Sequence, residues 1–264
     1  MIPETPNVLP IVIGDPNRGL LPALHTSWLS RVDVVRLPSV VLTRDSLDWL
    51  ERVDEATFKA RFGRLPLESE MGCAAAHLNA YDVLLSSSFT WALIMEDDAL
   101  ILNSEMLHAI VTAVVQHAEP TSRLISLYTE GPIFAESCRF IDSVKLMQLR
   151  LEPQGAVAYM IDRAAARQLL SAQSPIASVS DWPLNARQIR YGFVPNVAIA
   201  HMTSPDTSLV APQINRRTLV PTSTRLWMWT AIWYFRHRRY FTGFNDYFRQ
   251  VLLPRVAYKF WRRN

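Results

Sequence analysis

A short apolar run that ends abruptly in three carboxylates constrains the fold more than any other feature of this sequence. Trp91–Met95 has the sequence WALIM, and Glu96-Asp97-Asp98 follows it directly. Continuous apolar runs of this length are typical of strands that are buried on both faces of a parallel sheet. The pattern therefore predicts a core strand whose carboxyl end carries an acidic triplet.

Segments of strand and helix character alternate along the rest of the chain. Apolar and β-branched runs predict strands at 8–14, 32–37, 91–95, 124–128, 146–151, 156–161 and 193–200, and helical spacing predicts helices at 47–62, 70–85, 105–117 and 163–172. This alternation is typical of an α/β domain, and 264 residues with 49% apolar content can fill one sizeable core. We predict such a domain over residues 1–222 and a separate C-terminal segment over 223–264.

The sequence offers little sign of export or of membrane insertion. Its two cysteines, Cys73 and Cys138, do not suggest a disulfide scaffold, which favours a reducing, cytoplasmic setting. The segment Met1–Pro10 lacks the basic and apolar pattern of a signal peptide. No apolar run reaches the roughly 18 to 20 residues that span a bilayer. We therefore expect a cytoplasmic protein that does not cross the membrane.

The acidic triplet stands where α/β proteins bind ligands. In open α/β sheets the ligand lies beyond the carboxyl ends of the strands, where side chains project into a crevice. Adjacent carboxylates repel one another at low dielectric, so three in a row favour a hard divalent cation such as Mg²⁺ or Mn²⁺. Such an ion could clamp a diphosphate and neutralise its charge. A solvated turn that closes a strand is the alternative, and the triplet alone leaves both open.

Four sequence blocks carry a family resemblance. They are Glu70-Met71-Gly72-Cys73-Ala74-Ala75-Ala76-His77, Ala92–Asp98, Gly155–Ile161 with Arg163-Ala164-Ala165 after it, and Val179-Ser180-Asp181-Trp182. In this order they resemble glycosyltransferase family 25, which includes bacterial lipooligosaccharide galactosyltransferases and collagen galactosyltransferases. The resemblance implies a GT-A fold with a Rossmann-like mixed sheet flanked by helices, a nucleotide-sugar donor and a metal bound through the Glu-Asp-Asp motif.

Two departures from the family pattern bear on donor binding. Ala76 stands where the family usually has serine. The customary N-terminal segment is present only as Ile11–Arg18, without its second basic residue. Both departures keep a non-catalytic relative of the enzymes open as an alternative.

The resemblance also implies roles at the acidic edge. By analogy with GT-A enzymes, Asp98 is expected to coordinate the metal, while Glu96 and Asp97 hold the donor's ribose or the metal's water shell. His201 follows the last predicted strand, where GT-A enzymes often supply a further ligand; a strand-end histidine with no role is the alternative. Gly155 is assigned to the donor site, since the absence of a side chain there lets a backbone or an acceptor approach closely.

One face of the predicted helix 70–85 points to the same site. Glu70, Cys73 and His77 fall at i, i+3 and i+7, so the three side chains share a helical face. The resemblance implies that this face, together with Gly72, lines the donor site. Packing is the alternative for Cys73. A zinc site here is disfavoured, because the neighbouring sequence offers no further cysteine or histidine.

Asp181 is the candidate general base. An inverting transfer needs a group that deprotonates the acceptor hydroxyl as it attacks the anomeric carbon opposite the leaving diphosphate. Asp181 is an isolated acid beside Trp182, whose ring could stack on a sugar. A helix N-cap ahead of Pro183 is the alternative, and one residue can serve both roles.

The C-terminal segment is basic and aromatic. Residues 225–264 hold nine lysine or arginine residues against one acidic residue, whereas the other 224 residues hold 18 basic and 23 acidic ones. Aromatic rings favour the headgroup level and cations favour anionic lipids, so we expect a helical tail lying on the inner face of the cell membrane. Packing on the body or in an oligomer is an alternative, and a nucleic-acid partner is not expected.

These observations converge on one expected function. We expect a metal-dependent glycosyltransferase peripheral to the membrane, and the resemblance implies that it transfers galactose from UDP-galactose, with inversion, to a lipooligosaccharide or other glycan or lipid-linked acceptor. A non-catalytic, membrane-associated GT-A-like binding protein is the alternative from another class. A metal-dependent hydrolase that uses the same carboxylates is a third.

Overall fold

The computed structural model describes eight stretches of the chain, 7–15, 28–117, 122–128, 135–141, 144–149, 156–180, 190–193 and 199–201. All of them lie in the compact unit Met1–Arg216. Gly155, Asp181 and the predicted tail 223–264 lie outside the described residues, as does the side chain of His201. Among the helices that are described, none combines the length and the apolar character needed to cross a bilayer.

Ten strands and five α-helices make up the described part. The strands are β1 Leu9–Ile13, β2 Val35–Leu37, β3 Trp91–Glu96, β4 Ala99–Ile101, β5 Leu124–Ser126, β6 Ala135–Ile141, β7 Val144–Leu149, β8 Ala158–Asp162, β9 Arg190–Phe193 and β10 Ile199–His201. The helices are α1 Leu47–Arg52, α2 Glu55–Phe62, α3 Glu68–Ser86, α4 Ser104–His117 and α5 Arg163–Ala172, with a 3₁₀ turn at Trp28–Arg31.

The strands form a mixed sheet. Eight of them pair in the order β2-β1-β3-β8-β5-β9-β7-β6, and β4 pairs separately with β10. Strand β1 is parallel to β2 and β3, whereas β8 is antiparallel to both β3 and β5. The predicted α/β class, with a mixed sheet flanked by helices, is confirmed. The GT-A assignment stays a prediction.

The buried strand β3 divides the core into two layers. Ala92 and Ile94 face the layer that contains the apolar sides of α3 and α5. Trp91, Leu93 and Met95 face the opposite layer, which α4 covers. Because both faces are packed, the strand is apolar from Trp91 to Met95, and full burial of each large side chain contributes roughly 1.5–3 kcal/mol.

The segment 47–62, predicted as one helix, is two helices. Helix α1 ends at Arg52, and the backbone N–H of Asp54 donates to the carbonyl of Ile176 at 2.9 Å. The Asp54 side chain then accepts from the backbone N–H of Thr57, also at 2.9 Å, and caps the start of α2. A residue that bonds across the fold and also caps a helix cannot continue the preceding one.

The run 193–200, predicted as a single strand, is also divided. Its first residue, Phe193, ends β9 in the large sheet, whereas Ile199 begins β10 in the small one. Pro195 lies between them and has no backbone N–H to donate to a strand ladder. Strand β6 was not predicted, since its sequence AESCRFI mixes polar and apolar residues without a clear alternation.

Candidate active site

The acidic triplet lies at one edge of the sheet beside the end of β1. Strands β1 and β3 are parallel, and Ile13 is the register partner of Glu96. The residues that follow each strand therefore meet, and the backbone N–H of Asp15 donates to Oδ2 of Asp97 at 2.8 Å. Gly14 has a φ of +125°, and a Cβ on it would overlap the Asp97 carboxylate. Asp97 thus fixes the turn after β1, a contact that sequence spacing does not reveal.

Glu96 is held by a chain of hydrogen bonds that leads into the core. Its Oε1 lies 2.9 Å from Nε2 of His77, a side chain only 3% exposed. Nδ1 of His77 lies 2.7 Å from the hydroxyl of Tyr159, which in turn donates to the hydroxyl of Tyr81 at 3.1 Å. Burial, and after it the neighbouring Tyr81, raises the pKa of Tyr159 well above its usual value. Tyr159 therefore stays neutral.

Cys73 joins the same cluster and links it to a distant segment. Its Sγ lies 3.7 Å from Oε1 of Glu96 and 3.3 Å from Oγ of Ser180. Ser180 is the last described residue before the predicted base Asp181, so the chain reaches the cluster one residue ahead of that position. Asp181 and Trp182 themselves lie outside the described residues.

The described contacts of Glu70 and Gly72 are with protein groups outside the acidic cluster. Oε2 of Glu70 accepts from the backbone N–H of Leu67 at 2.9 Å and from Nη1 of Arg64 at 2.8 Å. The carboxylate thus anchors the start of α3, and its hydrogen bond raises the pKa of Arg64. A Cβ on Gly72 would overlap the carbonyl oxygen of Val40. The donor-binding roles of both residues stay predictions.

Asp98 and His201 are brought together at the level of the backbone. Asp98 is partly buried and directly precedes β4. In the small sheet, His201 of β10 is the register partner of Ala99, the residue after Asp98. Carboxylate oxygens suit Mn²⁺ and Mg²⁺ and imidazole is a common metal ligand, so these two residue types are compatible with the predicted ion, whose binding stays a prediction.

Several contributors to this site were not found in the sequence. Tyr159 lies in the predicted strand 156–161 and is buried, but its hydroxyl contacts His77. Tyr81 lies one turn after His77 on α3, so helical spacing could have revealed it. Gly14, which ends the first apolar run ahead of an aspartate, was a further available signal. Ser180 gave no signal as a Cys73 contact, because 107 residues separate the two.

A known protein family matches the part of the chain that contains most of this site. The model of glycosyltransferase family 25, described as an LPS biosynthesis protein, matches residues 52–182, about half of the chain. The match contains α3, the triplet and β8, which are the elements that build the cluster around Glu96. No curated protein matches the chain significantly. The description implies glycosyltransferase activity in general, and the match confirms the resemblance: the chain belongs to glycosyltransferase family 25 through residues 52–182.

Proposed function

We propose that this chain is a metal-dependent glycosyltransferase that transfers galactose from UDP-galactose, with inversion, to a lipooligosaccharide or other glycan acceptor. One observation carries the proposal: the acidic triplet, the end of β1 and the Cys73–His77 face of α3 meet at one sheet edge, inside the segment that matches the family. Ligands of α/β sheets bind at such an edge. Galactose, UDP and inversion are inferred from the family resemblance.

Each residue of the edge has a distinct role in this proposal. Asp98 and His201 would hold Mn²⁺ or Mg²⁺, which when bound supplies positive charge to the diphosphate leaving group. His77 fixes the orientation of Glu96, so that its second oxygen can bind the donor's ribose. Asp97 holds the turn after β1 in place beside the donor. Asp181, next to Ser180, would take the proton from the acceptor hydroxyl.

The acceptor and the cellular site follow from two different observations. The family description names LPS biosynthesis, which supports a lipid-linked glycan acceptor. The basic, aromatic segment 223–264 supports binding to an anionic membrane surface, where that acceptor would be found. We therefore place the enzyme at the inner face of the cell membrane, with the tail as its contact.

The alternative, a non-catalytic binding protein, is weakened by the position of Ala76. This side chain is 1% exposed and packs in the core layer between α3 and the sheet. The family's serine at this position would therefore point into the core, one residue before His77. Its replacement by alanine does not remove a group from the described part of the acidic cluster.

A binding panel tests the donor assignment. The full chain is titrated with nucleotides and nucleotide sugars, with and without Mn²⁺, as wild type and as Asp98→Asn. Asp82→Asn is the matched control, because Asp82 is an exposed acid of α3. We expect metal-dependent binding of UDP or a UDP-sugar that Asp98→Asn loses and Asp82→Asn keeps. Absence of binding by every nucleotide would refute the proposal.

A further inference from the structure

We propose that Cys73, His77 and Glu96 form a second metal site, one that takes Zn²⁺ or a similar borderline cation. Their ligand atoms, a thiol sulfur, an imidazole nitrogen and a carboxylate oxygen, all lie within 4.8 Å of one another. Cys73 and His77 are one helical turn apart on α3, and Glu96 arrives from the end of β3. Sequence spacing could not find the third ligand, because it lies 19 residues beyond His77.

Two of the three ligand-to-ligand distances are close to those of a tetrahedral ion. Zinc binds sulfur at about 2.3 Å and nitrogen or oxygen at about 2.0–2.2 Å, so neighbouring ligands of a tetrahedral site are roughly 3.3–3.6 Å apart. Here Nε2 of His77 lies 2.9 Å, and Sγ of Cys73 3.7 Å, from Oε1 of Glu96. An ion between these atoms requires His77 and Glu96 to separate by a few tenths of an ångström. Three protein ligands would leave a fourth position for water or another ligand, and Oγ of Ser180 lies 3.3 Å from Sγ of Cys73.

The surroundings of His77 suit a metal ligand. Metal-bound histidines usually donate their other ring N–H to a fixed acceptor, which sets the tautomer. Nδ1 of His77 has such a partner in the Tyr159 hydroxyl at 2.7 Å, and Tyr159 can donate onward to Tyr81. Because a hydroxyl can accept or donate, the tyrosine pair satisfies either tautomer.

The ligand chemistry separates this site from the one proposed at Asp98. Thiolate and imidazole favour zinc, whereas Mg²⁺ and Mn²⁺ favour oxygen ligands. Binding converts the Cys73 thiol to a thiolate and releases its proton to solvent. The site requires no nucleotide, so its existence does not depend on the proposed transferase reaction. Glu96 also has the proposed ribose-binding role, through its second oxygen, so zinc at Oε1 would share this carboxylate with the donor.

Cobalt substitution tests the site through the sulfur ligand. The full chain is stripped with a chelator and titrated with Co²⁺ and then Zn²⁺ in excess Mg²⁺, without nucleotide. We expect one equivalent to bind with a thiolate-to-cobalt charge-transfer band that Zn²⁺ abolishes. Cys73→Ser should lose the band, and both it and His77→Gln should weaken Zn²⁺ binding at least about 100-fold, beyond the usual cost of losing a supporting residue.

Cys138→Ser is the matched control, since Cys138 in β6 is the chain's other cysteine. This variant should keep both the band and the zinc affinity. A band that is absent from the wild type, or that follows Cys138 instead of Cys73, would overturn the proposal. X-ray absorption at the zinc edge of the wild type needs no variant to fold: one sulfur near 2.3 Å is expected, and a shell of nitrogen and oxygen alone refutes the site.

Discussion

The contact between Gly14 and Asp97 makes a specific prediction for Gly14→Ala. Gly14 has a φ of +125°, its N–H donates to the carbonyl of Leu37 at 3.0 Å, and a Cβ would overlap the Asp97 carboxylate. The backbone of Gly14 is thus fixed by a hydrogen bond to Leu37, and the Asp97 side chain fills the space beside its Cα. The added methyl group must displace Asp97 or the turn, and either movement disturbs the bond from Asp15 to Asp97.

The expected cost has two parts. An L residue held at this φ costs about 1–3 kcal/mol in backbone strain. Disrupting a hydrogen bond to a charged carboxylate costs about 1.5–3 kcal/mol more. Together these parts lower the free energy of unfolding of Gly14→Ala by about 2.5–6 kcal/mol, a large share of the 5–15 kcal/mol typical of a domain.

Gly63→Ala is the matched control. Gly63 also has a positive φ, +70°, but no atom lies within 4 Å of the position of its Cβ. It ends α2 in the left-handed region, where an alanine costs roughly 1–2 kcal/mol. Gly63→Ala therefore adds backbone strain without a clash against the acidic triplet, so it controls for the effect of strain alone.

Urea unfolding and UDP-sugar titration measure the two effects separately. Both variants should be destabilised, Gly14→Ala more, but only Gly14→Ala should weaken donor binding, by at least about tenfold, or 1.4 kcal/mol. Equal donor affinity in Gly14→Ala and the wild type would refute the placement of the turn after β1 in the donor site. Equal losses of stability would refute the clash with Asp97.

Two further substitutions test the packing that positions the site. Gly72→Ala should lower the free energy of unfolding by about 1–2 kcal/mol, since overlap with the Val40 carbonyl outweighs the roughly 1 kcal/mol that alanine gains in a helix; a more stable variant in urea would contradict this. Asp162→Ala should cost about 2–4 kcal/mol, because the buried carboxylate accepts from the backbone N–H groups of Ala165 and Arg123 at 2.7 and 2.8 Å. A change below about 0.5 kcal/mol in the same measurement would contradict it.

The sequence predicted the elements of the fold better than their boundaries. Strand β3 was found because both of its faces are buried, which makes its composition continuous and apolar. The break at Asp54 depends on a hydrogen bond to Ile176, more than 120 residues away, and periodicity carries no such information. Strand β6 mixes polar and apolar residues without a strand-like alternation. Its extended conformation depends on pairing with β7, which its own sequence does not reveal.

The sequence predicted which residues belong to the site better than it predicted their contacts. The resemblance identified Cys73, His77 and Glu96, and the structure brings these three together. The spacing along α3 placed Glu70 on the same face, but its carboxylate accepts a hydrogen bond from Arg64, which precedes the helix. Which partner a side chain takes depends on neighbouring elements, and local sequence does not fix their position.

Sugar transfer itself tests the central claim most directly. The full chain is incubated with Mn²⁺, UDP-galactose and a lipooligosaccharide acceptor that lacks terminal galactose, as wild type, Asp98→Asn and Asp82→Asn, and the product is examined by mass and by its anomeric configuration. The wild type and Asp82→Asn should add one hexose with inverted configuration, and Asp98→Asn should not. If the wild type forms no glycosylated product and releases no nucleoside diphosphate from any donor of the panel, the chain is not the glycosyltransferase proposed.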